Sequence, residues 1–414
     1  MPSVKVLRRI GAFLEFLFWS FFDPCILVLL WILASWVLGS FSLHYLRAMA
    51  LQKIILAGRV FTGENWLENY AVLIGDGVIQ DLLPLADLPA GVEVESYPDA
   101  WLVPAFIDLQ IYGAYGKLLA VYPEPDALVK LNEYCRSGGA PLCMPTVATN
   151  TYEVFFAAID ALRDYWNQGG EGVLGLHIEG PWINPVKRGA HIEELIHAPS
   201  VEQVRELLEY GKGVIRIITL APEVVSPEII QLIRSYGIVI SAGHSNATYT
   251  QAKAGFASGI RAVTHLYNAM SPLLHREPGL VGASMDDEQV MASIIPDGHH
   301  VDYAAIRIAK AVMKERLFVI TDAVTDTDQG QYPHARMGDK YESGGILSGS
   351  ALTMHAAMLN LVRHVQVDPG EAIRMCSLYP ARVMGMDDQY GKIQKGYKAS
   401  LLLLDESLEL IKLL

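Results

Sequence analysis

The chain has 414 residues and a net charge of -13, from 32 Lys and Arg against 45 Asp and Glu. With 51% hydrophobic and 19% charged residues it can bury a large core, which excludes wholesale disorder. The absence of a basic run after residue 49 argues against a binder of nucleic-acid backbones, and four scattered cysteines (Cys25, Cys135, Cys143, Cys376) without a CxxC spacing argue against a disulfide scaffold or a cysteine zinc site.

Residues 1–49 are a different material from the rest. Runs 11–22 and 25–43 are almost wholly apolar, and the second is just long enough to span a bilayer. Asp23-Pro24 separates them and Glu15 interrupts the first, so together they are too short for two spans. Lys5, Arg8 and Arg9 precede them and Arg47 and Lys53 follow, which orients the N-terminus inside. Three readings stand side by side: a membrane anchor, a signal segment, and an upstream extension of the reading frame with Met49 as the start.

From residue 50 the pattern is of short strands: Lys53–Val60, Ala71–Leu82 around Gly75-Asp-Gly77, and Val92–Ser96. The C-terminal end is alike, with Ala399–Asp405 and Leu408–Leu414. The expectation is one β-sandwich domain built from 50–101 and 385–414, with 102–384 inserted between. Within the insertion, eight apolar β-rich runs alternate with helical patterns: Leu102–Gln110, Leu142–Thr149, Val173–Glu179, Ile215–Ala221, Ile238–Gly243, Ala262–Tyr267, Met291–Ile295 and Leu317–Thr321. Continuous apolar strands separated by helices imply a parallel sheet covered on both faces, and eight of them predict an α/β fold of the (β/α)8 barrel kind.

Glu179, Glu223, His244, His265, Asp297 and Asp322 lie at or just past the ends of these runs, the positions that converge on the active face of a barrel. Glu179, His244 and His265 supply one carboxylate and two imidazoles, a donor set for a divalent metal with a position left for water. Asp322 is placed as the proton carrier such chemistry needs, with a helix N-cap as its structural alternative. His177 alternates inward with Glu179 and reads as support for the ligands, or as a ligand itself. Asn268-Ala269, Arg276, His191 and His300 read as donors for a phosphate or carboxylate, with a surface ion pair the alternative for Arg276.

Several blocks carry a resemblance: His177-Ile-Glu-Gly-Pro-Trp-Ile-Asn184, Arg188-Gly-Ala-His191, Gly243-His-Ser-Asn-Ala-Thr-Tyr249, Thr264-His-Leu-Tyr-Asn-Ala-Met-Ser-Pro272, His275-Arg-Glu-Pro-Gly-Leu-Val-Gly282, Pro296-Asp-Gly-His-His-Val301, Thr321-Asp-Ala323 and Gly345-Ile-Leu-Ser-Gly-Ser-Ala-Leu-Thr353. Over roughly residues 51–414 the chain resembles the N-acetylglucosamine-6-phosphate deacetylases of the amidohydrolase superfamily. The resemblance implies metal ligation by Glu179, His244 and His265, and acid/base catalysis by Asp322. It implies substrate contacts from Ala190, His191, Asn268, Ala269, Arg276 and His300, and a closing loop of Leu347, Ser348 and Gly349. It further implies one divalent metal per subunit (zinc, or iron or cobalt), an amino-sugar phosphate substrate met in the cytoplasm, and a homodimer in which Arg276 and His300 reach a substrate across the interface. Two alternatives remain: a deacetylase of the galacto epimer, and a membrane-anchored, non-catalytic sugar-phosphate sensor. The chain departs from the family at the end of the first barrel strand. Gln110-Ile-Tyr-Gly113 stands where Gln-x-Asn-Gly is usual and where many superfamily members carry His-x-His. Gln110 is a poor zinc ligand, so a single metal is expected, and Tyr112 is expected to alter the pocket wall.

Overall fold

A computed structural model describes residues 51–88 and 94–414. The apolar extension, and with it the choice between anchor, signal and upstream start, lies outside the described residues. Among those described, no helix is long and apolar enough to cross a membrane.

Both ends of the described chain meet in one seven-stranded sheet. Its central strand, Leu51–Phe61, pairs with Tyr70–Gly75 on one side and with Glu95–Pro104 on the other. Tyr70–Gly75 turns into Val78–Pro84 through Asp76 and Gly77, both at positive φ, the turn whose twist suits a two-residue hairpin. The C-terminal hairpin of Leu401–Leu404 and Leu410–Leu413 extends the sheet beyond Glu95–Pro104. Ile55, Ala57, Val72, Ile79, Leu102, Leu401 and Leu403 pack together on it.

The eight expected runs form eight parallel strands in sequence order: Ile107–Ile111, Leu142–Ala148, Leu176–Glu179, Ile215–Leu220, Val239–Ala242, Ala262–Val263, Met291–Ile294 and Leu317–Val319. The eighth returns to the first beyond their ends. Asp322 N–H donates to the Gln110 carbonyl (3.0 Å), Tyr112 N–H to that of Ala323 (2.9 Å), and Ile111 bridges Ala323. The expected first run, Leu102–Gln110, is divided between two sheets. Leu102 and Val103 pair with Leu403 and Leu402 in the small sheet, and barrel pairing begins at Ile107. Pro104 still faces Leu401 and Ala105 N–H donates to the Ser400 carbonyl, so the small sheet keeps the chain to this point, and Phe106 N–H then turns away to the Gly139 carbonyl. An apolar run buried throughout cannot reveal such a change of partner.

Inside the barrel, below the site, lies a polar layer. His177 Nε2 meets Thr219 Oγ1 (2.8 Å), which meets Thr264 Oγ1 (2.7 Å), which meets Ser241 Oγ (2.6 Å). Burial pushes the His177 pKa down to about 4, so it is neutral within this network. Beyond the eighth strand, Ala335–Met337, Lys340–Ser343 and Ile346–Ser350 form a three-stranded antiparallel sheet that the sequence patterns did not announce.

Glu371, near the start of the helix Pro369–Cys376, ties the outer layer together. It pairs with Lys310 and with Arg374 (2.7 Å) and accepts from the Tyr379 hydroxyl (2.9 and 3.0 Å). Burial would raise its pKa, but the hydrogen bonds and charges of Lys310 and Arg374 hold it below the ordinary value. Glu371→Gln is expected to cost about 2 kcal/mol at neutral pH, by leaving partly buried cations short of a counter-charge. Since the folded-state pKa is the lower one, this contribution is complete above the unfolded value of about 4.3 and fades as pH falls through the folded value. Thermal unfolding of both proteins should show the gap closing in acid. A gap independent of pH would rule out the charge as its source.

Candidate metal centre

Each principal site residue is delivered by a strand end. Glu179 closes the third strand, while His244, His265 and Asp322 follow the fifth, sixth and eighth. The last three sit at positive φ (45°, 36° and 55°), a conformation that costs a non-glycine residue roughly 1–3 kcal/mol and turns each side chain into the mouth of the barrel. Gly180 makes the turn after Glu179 at φ 84°, where a Cβ would lie 2.1 Å from Thr149 Oγ1. Only glycine fits there, and Thr149 stays free to meet His191 Nδ1 at 2.7 Å.

Imidazoles converge on Glu179. Its Oε1 lies 3.0 Å from His265 Nε2 and 3.2 Å from His244 Nε2, and those two nitrogens are 3.1 Å apart. Its Oε2 lies 3.4 Å from His191 Nε2. All four side chains are buried. His244 Nδ1 faces the Lys187 carbonyl at 3.0 Å, so it carries the proton and leaves the Nε2 lone pair facing the carboxylate. Lone pairs brought to such separations offer a seat for a shared cation. Glu179, His191 and His244 each place a ligand atom within 4.8 Å of the others, and His265 is nearer to Glu179 than either. His265 Nδ1 is buried without a protein partner. This glutamate and histidine cluster suits a divalent metal. His191, expected among the substrate contacts, stands in the same cluster.

The electrostatics agree. Burial would raise the Glu179 pKa, but the surrounding imidazoles, His244 first and then His191 and His265, hold it well below the usual carboxylate range. Burial, aided by neighbouring His244, pushes His191 down to about 4. For His265 burial also lowers the pKa, yet the Glu179 carboxylate outweighs it and the net shift is upward. Asp322 is raised, chiefly by burial.

Gln110 and Tyr112 join the carboxylates. The Gln110 amide donates to Asp322 Oδ1 (2.7 Å), Tyr112 Oη (2.8 Å) and Glu179 Oε1 (3.2 Å), and the Tyr112 hydroxyl donates to Glu179 Oε2. Hydrogen-bond donors therefore fill the place where a first-strand histidine pair would present lone pairs. Groups that orient a ligand typically govern metal affinity by about 10–100-fold. Tyr112→Phe is expected to weaken metal binding by that amount, read by competition with a chelator. Unchanged affinity would deny Tyr112 any part in setting Glu179.

A cavity of about 160 Å³ opens above these groups, lined by Glu179, His191, His244, His265 and Asp322 together with Tyr112, Gly189, Ala190, Asn268, Ala269, Ile295, His300, Leu347 and Ser348. Gly349 stands behind it, against Val324 and the Asp322 carbonyl. His300, expected with Arg276 to reach a substrate across a dimer interface, lines the cavity of its own chain, and Arg276 is not brought to it. That arginine is exposed on a loop and lines a separate groove with Asn246, Thr248 and Tyr249. Two strand-end acids have supporting places. Asp297 accepts from the N–H groups of His299 (2.8 Å) and His300 (2.7 Å) and from His300 Nδ1 (2.5 Å), and so holds His300 Nε2 at 3.9 Å from Asp322 Oδ2. Glu223 clamps Asn184, Ser245 and the Asn246 N–H behind His244.

A sequence profile of the amidohydrolase family matches residues 101–413, and one of the NagA composite domain matches residues 55–96. The chain belongs to the amidohydrolase family. Within it, the chain is 34% identical to an N-acetylgalactosamine-6-phosphate deacetylase of Escherichia coli O157:H7 over 86% of its length and 96% of the relative's. It is 35% identical to an N-acetylglucosamine-6-phosphate deacetylase of Haemophilus influenzae over 83% and 92%. The fold superimposes on the crystal structure of N-acetylglucosamine-6-phosphate deacetylase from Pasteurella multocida with a TM-score of 0.83, at 32% identity over 87% of this chain and 97% of that one. The barrel expected from the sequence is present, and the small domain built from both ends of the chain, expected as a β-sandwich, is formed on one seven-stranded sheet.

Proposed function

We propose that the protein hydrolyses the acetamide of N-acetylglucosamine 6-phosphate to glucosamine 6-phosphate and acetate. The observation that carries this reading is the buried Asp322, tied through the Gln110 amide to the Glu179 cluster across one small cavity. Relatives named as deacetylases of amino-sugar phosphates support it.

Glu179, His244 and His265 would hold one metal ion per subunit, zinc before iron or cobalt, with His191 beside them. When bound, the ion supplies Lewis-acid polarisation of the amide carbonyl and acidifies water. Asp322, its proton affinity raised by burial, takes the proton of the attacking water and gives it to the departing amine. The Gln110 amide fixes the carboxylate through Oδ1, and His300, steadied by Asp297, stands beside Oδ2. His191 is a donor toward the oxyanion that forms at the carbonyl. Asn268, Ala269 and the Ala190 segment flank the sugar, with Leu347 and Ser348 of the strand Ile346–Ser350 closing over it and Gly349 behind them. Arg276 lies outside its own cavity, so a part in phosphate binding rests on a homodimer in which it serves the neighbouring site. Because sugar phosphates are cytosolic metabolites, the barrel is assigned to the cytoplasm, and any membrane attachment falls to residues 11–43.

The galacto epimer is a second reading, because relatives at 34% and 35% identity carry the two different substrates in their names. Acetate release from both sugars, with and without added Zn²⁺, tests the assignment. Metal-dependent release from the gluco sugar supports it, release from the galacto sugar alone transfers it to the epimer, and release from neither removes it. A sensor without catalysis has no use for Asp322.

A further inference from the structure

We propose that the site also accepts N-acyl groups one or two carbons longer than acetyl and seats their ends in an annex beside the metal cavity. The proposal rests on the amide-hydrolase reading above. A second cavity of about 50 Å³ shares Tyr112, Ala190, His191 and Ser348 with the first, so the two adjoin. A water-sized group needs roughly 10–15 Å³ of such space. The annex therefore has room for more than one further carbon.

Its position suits an acyl tail. Asn268 and Ala269, which flank the sugar, line only the first cavity, whereas Ala190 and Ser348 stand at the boundary and line both. Leu118, Ala120, Ala148 and Val324 line only the annex. A substrate with its sugar over the former and its carbonyl at Glu179 directs its acyl end toward the latter.

The chemistry of the wall agrees as well. Its polar tips are already engaged. The Tyr112 hydroxyl donates to Glu179, and Tyr332 Oη donates to the Thr149 carbonyl (2.5 Å). Thr146 Oγ1 donates to the Met144 carbonyl (3.2 Å) and accepts from Ile111 N–H (3.3 Å), while His334 Nδ1 meets Ser348 Oγ (2.8 Å). Burial lowers the His334 pKa to about 4, so no charge is added there at neutral pH. What remains to face the space is largely carbon, which favours a methylene over water.

The experiment compares kcat/KM of the metal-loaded full chain on N-acetyl-, N-propionyl- and N-butyryl-glucosamine 6-phosphate, following amine release. The N-propionyl compound is expected within about tenfold of N-acetyl, whereas a wall closed around a methyl group would impose a penalty of more than about 100-fold. Ala120→Leu, which fills the annex, should lower N-propionyl turnover at least tenfold and change N-acetyl turnover by less than threefold. Leu118→Ala, which enlarges it, should raise N-butyryl relative to N-acetyl turnover at least threefold, so the test does not depend on one variant folding. Normal N-acetyl turnover with a wild-type penalty above 100-fold, or equal effects of both variants on every acyl chain, would overturn the annex alone. No turnover of any compound would instead overturn the deacetylase reading on which it rests.

Discussion

Asp322→Asn is expected to lower turnover by about 10²–10⁴-fold while leaving metal content unchanged. The substitution preserves shape, and an asparagine oxygen can still accept the Gln110 amide that now donates to Oδ1 at 2.7 Å. The backbone turn at φ 55° and the N–H bond to the Gln110 carbonyl are untouched. What disappears is the one group poised between Glu179 and His300 whose proton affinity burial has raised toward the range useful for transfer. Turnover under saturating substrate and metal analysis of the same preparation form the test. Turnover like that of the wild type would remove Asp322 from the mechanism. Loss of metal alongside activity would make it a ligand instead.

The barrel was legible because parallel strands buried on both faces read as unbroken apolar runs, and all eight were marked by them. Glu179, His244, His265 and Asp322 stood out because each ends such a run. What the pattern concealed is local or distant in sequence. Nothing in the residue types announces that His244, His265 and Asp322 take left-handed backbone, because that follows from the turn each strand makes over the barrel mouth. His191 joins Glu179 through a loop, held by Thr149 from another strand. The change of sheet between Ala105 and Ile107 lies within a run that is apolar on both sides. Arg276, which a conspicuous motif marked as a residue that reaches a substrate across a dimer interface, lies on an exposed loop outside the cavity of its own chain.

Glu179→Gln is expected to weaken metal binding by more than about 100-fold and abolish activity at ordinary metal concentrations. The carboxylate is the common point of the centre, meeting His244, His265 and His191 on one side and Gln110 and Tyr112 on the other. Its charge matters on both counts. It offsets the cation, and as an acceptor it satisfies the Gln110 amide and the Tyr112 hydroxyl. A glutamine has one acceptor oxygen for these donors and an N–H₂ that must face either an imidazole lone pair or another donor. Leaving one such buried group unpaired costs about 1–3 kcal/mol, so the melting temperature should fall modestly as well. Titration with metal and a melting curve on the same sample separate the two effects. A folded variant that still binds metal at wild-type affinity would show that the histidines hold the ion without Glu179. A variant that regains activity in excess metal would confirm that the defect is affinity, with Asp322 still in place to move the proton.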